Sequence, residues 1–127
     1  MSAHGYVLDS GVLIAIEKGR SEWVRFLDRS RRMGDRLLVS AGVVAQVWRA
    51  EPNQARIGWL LKLRNVEVVS IDGKGARLIG HMLRDSGTSD IVDAHVTLLA
   101  FETRWPVLTS DPHDLRKLHP DIRIQEV

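Results

Sequence analysis

Four aspartates stand where apolar runs end or begin. Asp9 closes the run YVLD, Asp90 and Asp93 open the segment TSDIVDAHV, and Asp111 closes the run VLTSD. In an open α/β sheet the carboxyl ends of the strands converge on one crevice, and ligands bind there. Carboxylates gathered in such a crevice repel one another unless a cation neutralises them. An oxygen-only ligand set suits Mg²⁺ or Mn²⁺. Each acid also has a plainer explanation. Asp9 and Asp111 are in place to cap the helices that follow them, and Asp90 and Asp93 are in place to sit in a first helical turn, where the helix dipole favours negative charge. Asp93 fits that explanation least well, because AHVTLLAF after it is apolar nearly all round. A carboxylate on a buried helix needs a partner. Asp90 and Asp93 are three residues apart and therefore share a helix face. Thr109 and Ser110 are in position to donate hydrogen bonds to the carboxylates, and Ser10, directly after Asp9, joins them as a supporting polar residue.

The elements that would position these acids follow from hydrophobic periodicity and capping signals. Strands are expected at Gly5 to Asp9, Leu37 to Val39, Val66 to Ile71, Pro106 to Thr109 and Asp121 to Val127. A short helix follows Ser10 and stops at Gly19. Ser21 is expected to cap a second helix ending at Gly34. A third runs from Ser40 or Ala41 to Arg49, and a fourth from Pro52 to Asn65. Asp72 is expected to cap a fifth. A long helix spans about Asp90 to Thr103, and a last one runs from Asp111 or Pro112 to Leu118. Strands alternate with helices throughout, which predicts a three-layer α/β/α fold around a mostly parallel sheet of about five strands.

Length and composition narrow the class. A chain of 127 residues predicts one domain, residues 1–127. With 44% hydrophobic and 27% charged residues it has the balance of a globular protein. There is no run of about 18 apolar residues, which argues against a membrane span. The chain enters a strand almost at once, leaving no room for a signal peptide, and it has no cysteine. These features together point to a cytoplasmic protein. The net charge of +2 is too small to announce nucleic-acid binding. Arg20, Arg25, Arg29, Arg31, Arg32 and Arg36 crowd one stretch. They are expected to form a solvated helix face, with a phosphate-contacting surface as the alternative.

The order VLDSGVLIAI, VSAGVVAQVWR, TSDIVDAHV, VLTSDPHDL resembles the PIN-domain family, and more narrowly the VapC-type toxins of bacterial toxin–antitoxin pairs. The similarity spans nearly the whole chain. It implies a Mg²⁺- or Mn²⁺-dependent endoribonuclease acting on RNA, a cognate antitoxin and, commonly, a homodimer. It implies that Asp9, Asp90, Asp93 and Asp111 hold the metal and act in catalysis, with Thr109 and Ser110 in the accompanying polar positions. One position departs. Where many members carry a glutamate after the second strand, this chain has Gln46. Glu51 is five residues on, roughly 140° around a helix, and is a poor substitute. The departure leaves two readings open, a working four-aspartate site or a catalytically weak binding or regulatory module.

Other constellations are less favoured. A phosphatase with an aspartate nucleophile would want a second acid two residues after Asp9, where Gly11 stands. A phosphotransfer receiver would want paired acids before the first strand ends and a lysine near the last. His4, His81, His95, His113 and His119 match no metal spacing and are expected to be satisfied core or surface residues; His113, near Asp111, is the one able to approach a phosphate. Trp48 and Trp59 are expected in the core, with a partner-binding groove or dimer face as the alternative. The family resemblance implies that an antitoxin segment covers those helices and can place a basic residue in the acidic site.

Overall fold

The computed structural model describes residues 4–126. Five strands form one parallel sheet in the order β3-β2-β1-β4-β5: β1 (Gly5–Leu8), β2 (Arg36–Ser40), β3 (Val66–Val69), β4 (Val107–Thr109) and β5 (Ile124–Glu126). The strand sequences explain the order. β1, β2 and β4 read GYVL, RLLVS and VLT, and all their residues but the half-buried Tyr6 and the leading Arg36 are buried, as expected of strands covered on both faces. β3 (VEVV) and β5 (IQE) carry acids and take the edges. Val127, the expected end of the last strand, lies outside the described residues.

Among the described residues seven α-helices cover the sheet. They are α1 (Ser10–Glu17), α2 (Ser21–Met33), α3 (Ala41–Val47), α4 (Ala55–Leu60), α5 (Gly73–Ser86), α6 (Ile91–Thr103) and α7 (Pro112–Leu118). The connections through α1–α4 step the sheet one way from β1. Those through α5–α7 step it the other way, from β3 across to β4 and β5. Right-handed crossovers therefore put α1–α4 on one face and α5–α7 on the other, which makes three layers. The sheet reverses its winding between β1 and β4, and a crevice opens there at the carboxyl ends of the strands. The core joins Val7, Leu8, Leu37, Val39, Val107 and Leu108 of the sheet to Leu13 and Ile16 of α1 and to Val96 and Leu99 of α6. α6 is buried from Ala94 to Ala100, because Ile79 of α5 and Leu118 of α7 cover its outer side.

Several expected boundaries move, each for a local reason. α3 stops at Val47 rather than Arg49. The buried Gln54 amide takes over the helix end, its Nε2 donating to Val47 O at 2.7 Å and its Oε1 accepting from Arg49 N at 2.7 Å. The fourth helix splits into a 3₁₀ turn at Pro52–Gln54 and α4, which ends at Leu60 rather than Asn65. Bonds from Leu63 N to Leu60 O and from Val66 N to Leu63 O then tighten the chain into β3. Ser21 does not cap α2; Arg20 holds the cap position without a side-chain bond. Asp72 caps α5 as expected, accepting from Gly75 N at 2.7 Å.

Two surface expectations are also resolved. Trp48 and Trp59 are not core residues: they are 39% and 45% exposed and flank an open groove together with Glu51, Pro52 and Gly58. Much of the arginine stretch is occupied locally. Arg31 and Arg32 pair with Asp28, Arg36 pairs with Glu67 on the neighbouring strand, and Arg29 lies over the Phe26 ring. That is the solvated face. No helix among the described residues is long and apolar enough to cross a membrane.

Candidate active site

Asp9 leaves β1 and Asp111 leaves β4, so the two acids flank the switch point. Asp9 is buried and fully engaged. Its Oδ1 accepts from Ser10 N at 2.8 Å, and its Oδ2 accepts from the buried Thr109 hydroxyl at 2.7 Å. The same hydroxyl oxygen accepts from Asp111 N at 2.9 Å. Thr109 thus fixes one acid by donating and the turn of the next by accepting. Ser10 contributes through its backbone N–H. Ser110 turns its hydroxyl toward α1, against Gly11, where any Cβ would collide with it. Glycine at position 11 lets the loop after β4 close on α1.

Asp90 and Asp93 enter from the other side of the crevice. Asp90 is the N-cap of α6, its Oδ1 accepting from Asp93 N at 2.9 Å. This is the capping role that its place before an apolar helix allowed, and it aims Asp93 off the first turn. His95 anchors the helix behind them. Its Nδ1 lies 2.6 Å from Ser40 Oγ, which also caps α3 by accepting from Gly42 N. Burial lowers the His95 pKa against the opposing charge of Asp72, which favours the neutral ring.

The electrostatics tie the acids into one group. Asp93 is pushed from an ordinary 3.8 up to about 7, first by burial, then by the charges of Asp90, Asp9, Asp114 and Asp111. Asp111 is also raised, by desolvation first, then by a side-chain hydrogen bond and charge from Asp114 and the charge of Asp9; His113 opposes the shift. Among the described residues no lysine, arginine or histidine forms an ion pair with any of these acids. Asp114 is a member that the sequence reading missed. Its signal was present, three residues after Asp111 in the first turn of α7. Asp90, Asp93, Asp114, Thr88, Ser89 and Lys117 line a cavity of about 260 Å³.

Gln46 stands apart from this group. It is exposed on α3 and forms no hydrogen bond among those described. It lies one turn beyond Gly42, the residue that packs against Val92 of α6, and so shares the face of α3 turned toward α6. Glu51 lies on the connection after α3, in the tryptophan groove.

A divalent cation fits this donor set by its chemistry. The donors are hard carboxylate oxygens, mutually repelling, one of them half-buried, and among the described residues none is held in an ion pair. Among the described residues no three of these groups converge closely enough to hold an ion as they stand. Asp9 accepts from Thr109 and Ser10, and Asp90 from Asp93 N, which leaves lone pairs on these carboxylates for a metal; ligation requires the side chains to draw closer while these bonds hold.

The PIN-domain family model matches residues 6–119. The chain belongs to the PIN-domain family. No curated protein sequence matches it. Solved structures share the fold at low identity. VapBC2 from Rickettsia felis bound to a promoter DNA fragment aligns at TM-score 0.70 and 16% identity, over 97% of this chain and 98% of that one. DNA-bound VapBC from Salmonella typhimurium aligns at TM-score 0.65 and 16% identity, over 97% and 98%. FitAcB from Neisseria gonorrhoeae aligns at TM-score 0.58 and 17% identity, over 94% and 95%. PIN domains are generally nucleases, and in this chain Asp9 and Asp111 follow strands β1 and β4.

Proposed function

We propose that this PIN domain, residues 1–127, is a Mg²⁺- or Mn²⁺-dependent endoribonuclease and the toxin of a toxin–antitoxin pair in the cytoplasm. The observation that carries the reading is the acid cluster at the switch point. Burial first and the neighbouring acids next raise Asp93 to about 7, and among the described residues no cationic side chain forms an ion pair with the cluster. Asp9, Asp93 and Asp111 would hold the ion, with Asp90 adding charge from the cap position. When bound, the cation would lower the pKa of a bound water and neutralise charge developing on the scissile phosphate. Thr109 keeps Asp9 and the Asp111 turn in register. Asp93 would orient the attacking water as the new phosphorus–oxygen bond forms and the ester bond breaks, with the water's proton passing to solvent and the leaving oxygen taking a proton from solvent. His113 and Lys117 stand beside the acids where a phosphate would approach.

The partner follows from the family resemblance and from the company of the fold. Structures sharing it include VapBC2 and VapBC bound to DNA, and the exposed Trp48–Trp59 groove is a surface where an antitoxin segment would seat its apolar side chains. A basic residue from such a segment, placed among the acids, would pair with them bidentately. A homodimer is the assembly this resemblance implies.

The test is cleavage of total RNA by the natural protein and by Asp9→Asn, with Mg²⁺, Mn²⁺ or chelator. Metal-dependent cleavage lost in Asp9→Asn is expected. Equal activity in the variant would overturn the assignment. The second reading, a weak binding or regulatory module, rests on Gln46, which offers no charge to the site. It prevails if the natural protein is inactive and Gln46→Glu creates cleavage.

A further inference from the structure

The far end of α6 carries a second cavity with the opposite chemistry. It has about 270 Å³ and lies between the C-terminal ends of α6 and α7 and the start of β5. Its aromatic wall is Phe101, 53% exposed, with the His119 ring stacked at 4.8 Å and tilted 33°. His119 Nδ1 accepts from Asp121 N at 3.3 Å, which leaves Nε2–H as a donor. Arg104 and Arg123 line the same cavity, and Arg123 Nη1 donates to Arg104 O at 3.3 Å. Among the described residues neither guanidinium pairs with a carboxylate. Asp121 is the acid on the rim. Two arginines against one aspartate leave a local charge of +1 with His119 neutral.

An exposed aromatic face beside guanidinium groups that pair with no carboxylate among the described residues is the chemistry that holds a nucleotide of a single strand: the ring stacks the base, and arginine takes the phosphate. We infer that this cavity is a remote subsite for single-stranded RNA, stacking one base on Phe101 and His119 and holding the adjoining phosphate on Arg104 and Arg123. The inference rests on the ribonuclease reading above and names where its substrate is gripped away from the reacting bond. The geometry supports one strand spanning both cavities. α6 runs between them, and 1.5 Å per residue puts Asp90 and Arg104 roughly 20 Å apart, a few nucleotides of extended strand. α7 runs beside it, with Asp114 and Lys117 in the acidic cavity and His119 in the basic one. Lys117 is exposed, one helical step from the second cavity, and offers a phosphate contact between them. The acidic cavity repels a polyanion that has no cation bound, so affinity has to come from elsewhere on the surface.

The experiment compares the natural protein with Phe101→Ala and Arg123→Gln, both at exposed positions. Single-stranded RNA of mixed sequence is supplied in two lengths, one covering only the acidic end and one long enough to reach Arg123. Binding is read in chelator, so that nothing is cleaved, and cleavage with Mn²⁺. For the long RNA we expect the binding constant and KM to weaken by roughly tenfold in Phe101→Ala, the range of one lost base–aromatic stack, with kcat unchanged. Arg123→Gln should flatten the salt dependence of binding. The short RNA should be handled equally by all three proteins. Equal KM and binding for the long RNA in both variants would overturn the subsite while leaving the nuclease reading intact. A natural protein that cleaves nothing but binds long RNA through Phe101 would keep the subsite and overturn the nuclease. If either variant instead changes the elution volume of the protein, the cavity is a contact between copies of this chain, and the subsite is wrong.

Discussion

The two ends of α6 are built from opposite materials. At its N-terminus Asp90 and Asp93 meet Asp9, Asp111 and Asp114; at its C-terminus Arg104 and Arg123 meet Phe101 and His119. The helix dipole favours both arrangements, acids at the start and cations at the end. The balance of charge differs. Arg104 caps α6 in a left-handed conformation and stays exposed to water, so its charge costs the fold little. Burial first, and then the charges of four neighbouring acids, lift the pKa of Asp93 to about 7. A fold keeps such a cluster at a cost to stability, and strongly shifted groups in clefts are candidates for function. The same helix thus carries one end that is electrostatically at rest and one held under mutual repulsion.

The largest expected effect comes from removing that tension. Asp93→Asn should lower metal-dependent cleavage by about 100-fold or more, the scale of losing one group that acts on developing charge. The same change should leave the metal-free protein as stable as before, or more so, because it removes repulsion within the cluster. Thermal melts in chelator beside cleavage rates in Mn²⁺ check both halves. A variant that loses activity and stability together would mean that Asp93 is structural. Asp90→Asn should lose far less, since asparagine caps a helix as well as aspartate does.

Thr109→Val should come next. It removes the hydroxyl that donates to Asp9 and accepts from Asp111 N, leaving two polar groups short of a partner. A cost of about 1–3 kcal/mol in unfolding free energy is expected for a buried group left unsatisfied. Metal affinity should fall by roughly tenfold, the lower range for outer-shell partners of a metal site. Denaturant melts and a Mn²⁺ titration read the two losses. Unchanged metal affinity in the Thr109→Val protein would break the link between Thr109 and the acids.

The acidic end was legible in the sequence because its signals are local. An apolar run followed by an acid marks a strand exit, and alternation of strands with helices marks a parallel sheet whose exits converge. Asp9 and Asp111 follow from those two facts and Asp93 from the apolar helix it opens, and the family model over residues 6–119 agrees with the fold they predict. Asp114 was missed because its membership depends on how α7 leaves the sheet, and a helix-start acid is ordinary in isolation. The end of α3 was misplaced because it is set by Gln54, whose side chain returns to Val47 and Arg49 across a turn. The basic end left almost no trace. Phe101, Arg104, His119 and Arg123 are spread over two helix ends and the approach to β5, and only the packing of α6 against α7 brings them to one cavity. Trp48 and Trp59 show the same limit from the other side: aromatic type suggested core, and the short α3 and α4 left both at the surface.

Gln46→Glu sharpens the contrast by adding charge to the acidic end. Position 46 shares the α3 face that meets α6 at Gly42 and Val92. A carboxylate there should tighten Mn²⁺ binding by up to about tenfold and raise cleavage at limiting metal, with little change at saturation. Calorimetric titration of the two proteins checks it. Equal affinities would mean that α3 stands too far off to serve the site.

The smallest effect is the pH dependence of folding, and its sign separates the acidic end from ordinary carboxylates. A paired aspartate has a lowered pKa and stabilises the fold as pH rises. Asp93 is raised from 3.8 to about 7, so between those values the folded state binds a proton that the unfolded state has released. Stability from this group is present at low pH and is lost as pH rises through about 7, because the unfolded chain binds fewer protons across that window. Asp111, also raised, acts in the same direction. In chelator the stability difference between the natural protein and Asp93→Asn should therefore shift in favour of the variant from about pH 4 to 7 and then level off. Mn²⁺ should reverse the trend, since it binds the ionised carboxylates and its stabilisation grows with pH over the same range. Melting curves of both proteins across that range, with and without Mn²⁺, read the two slopes. A difference that is flat in chelator would show that Asp93 titrates as an ordinary acid and that the cluster is not under the strain its geometry implies.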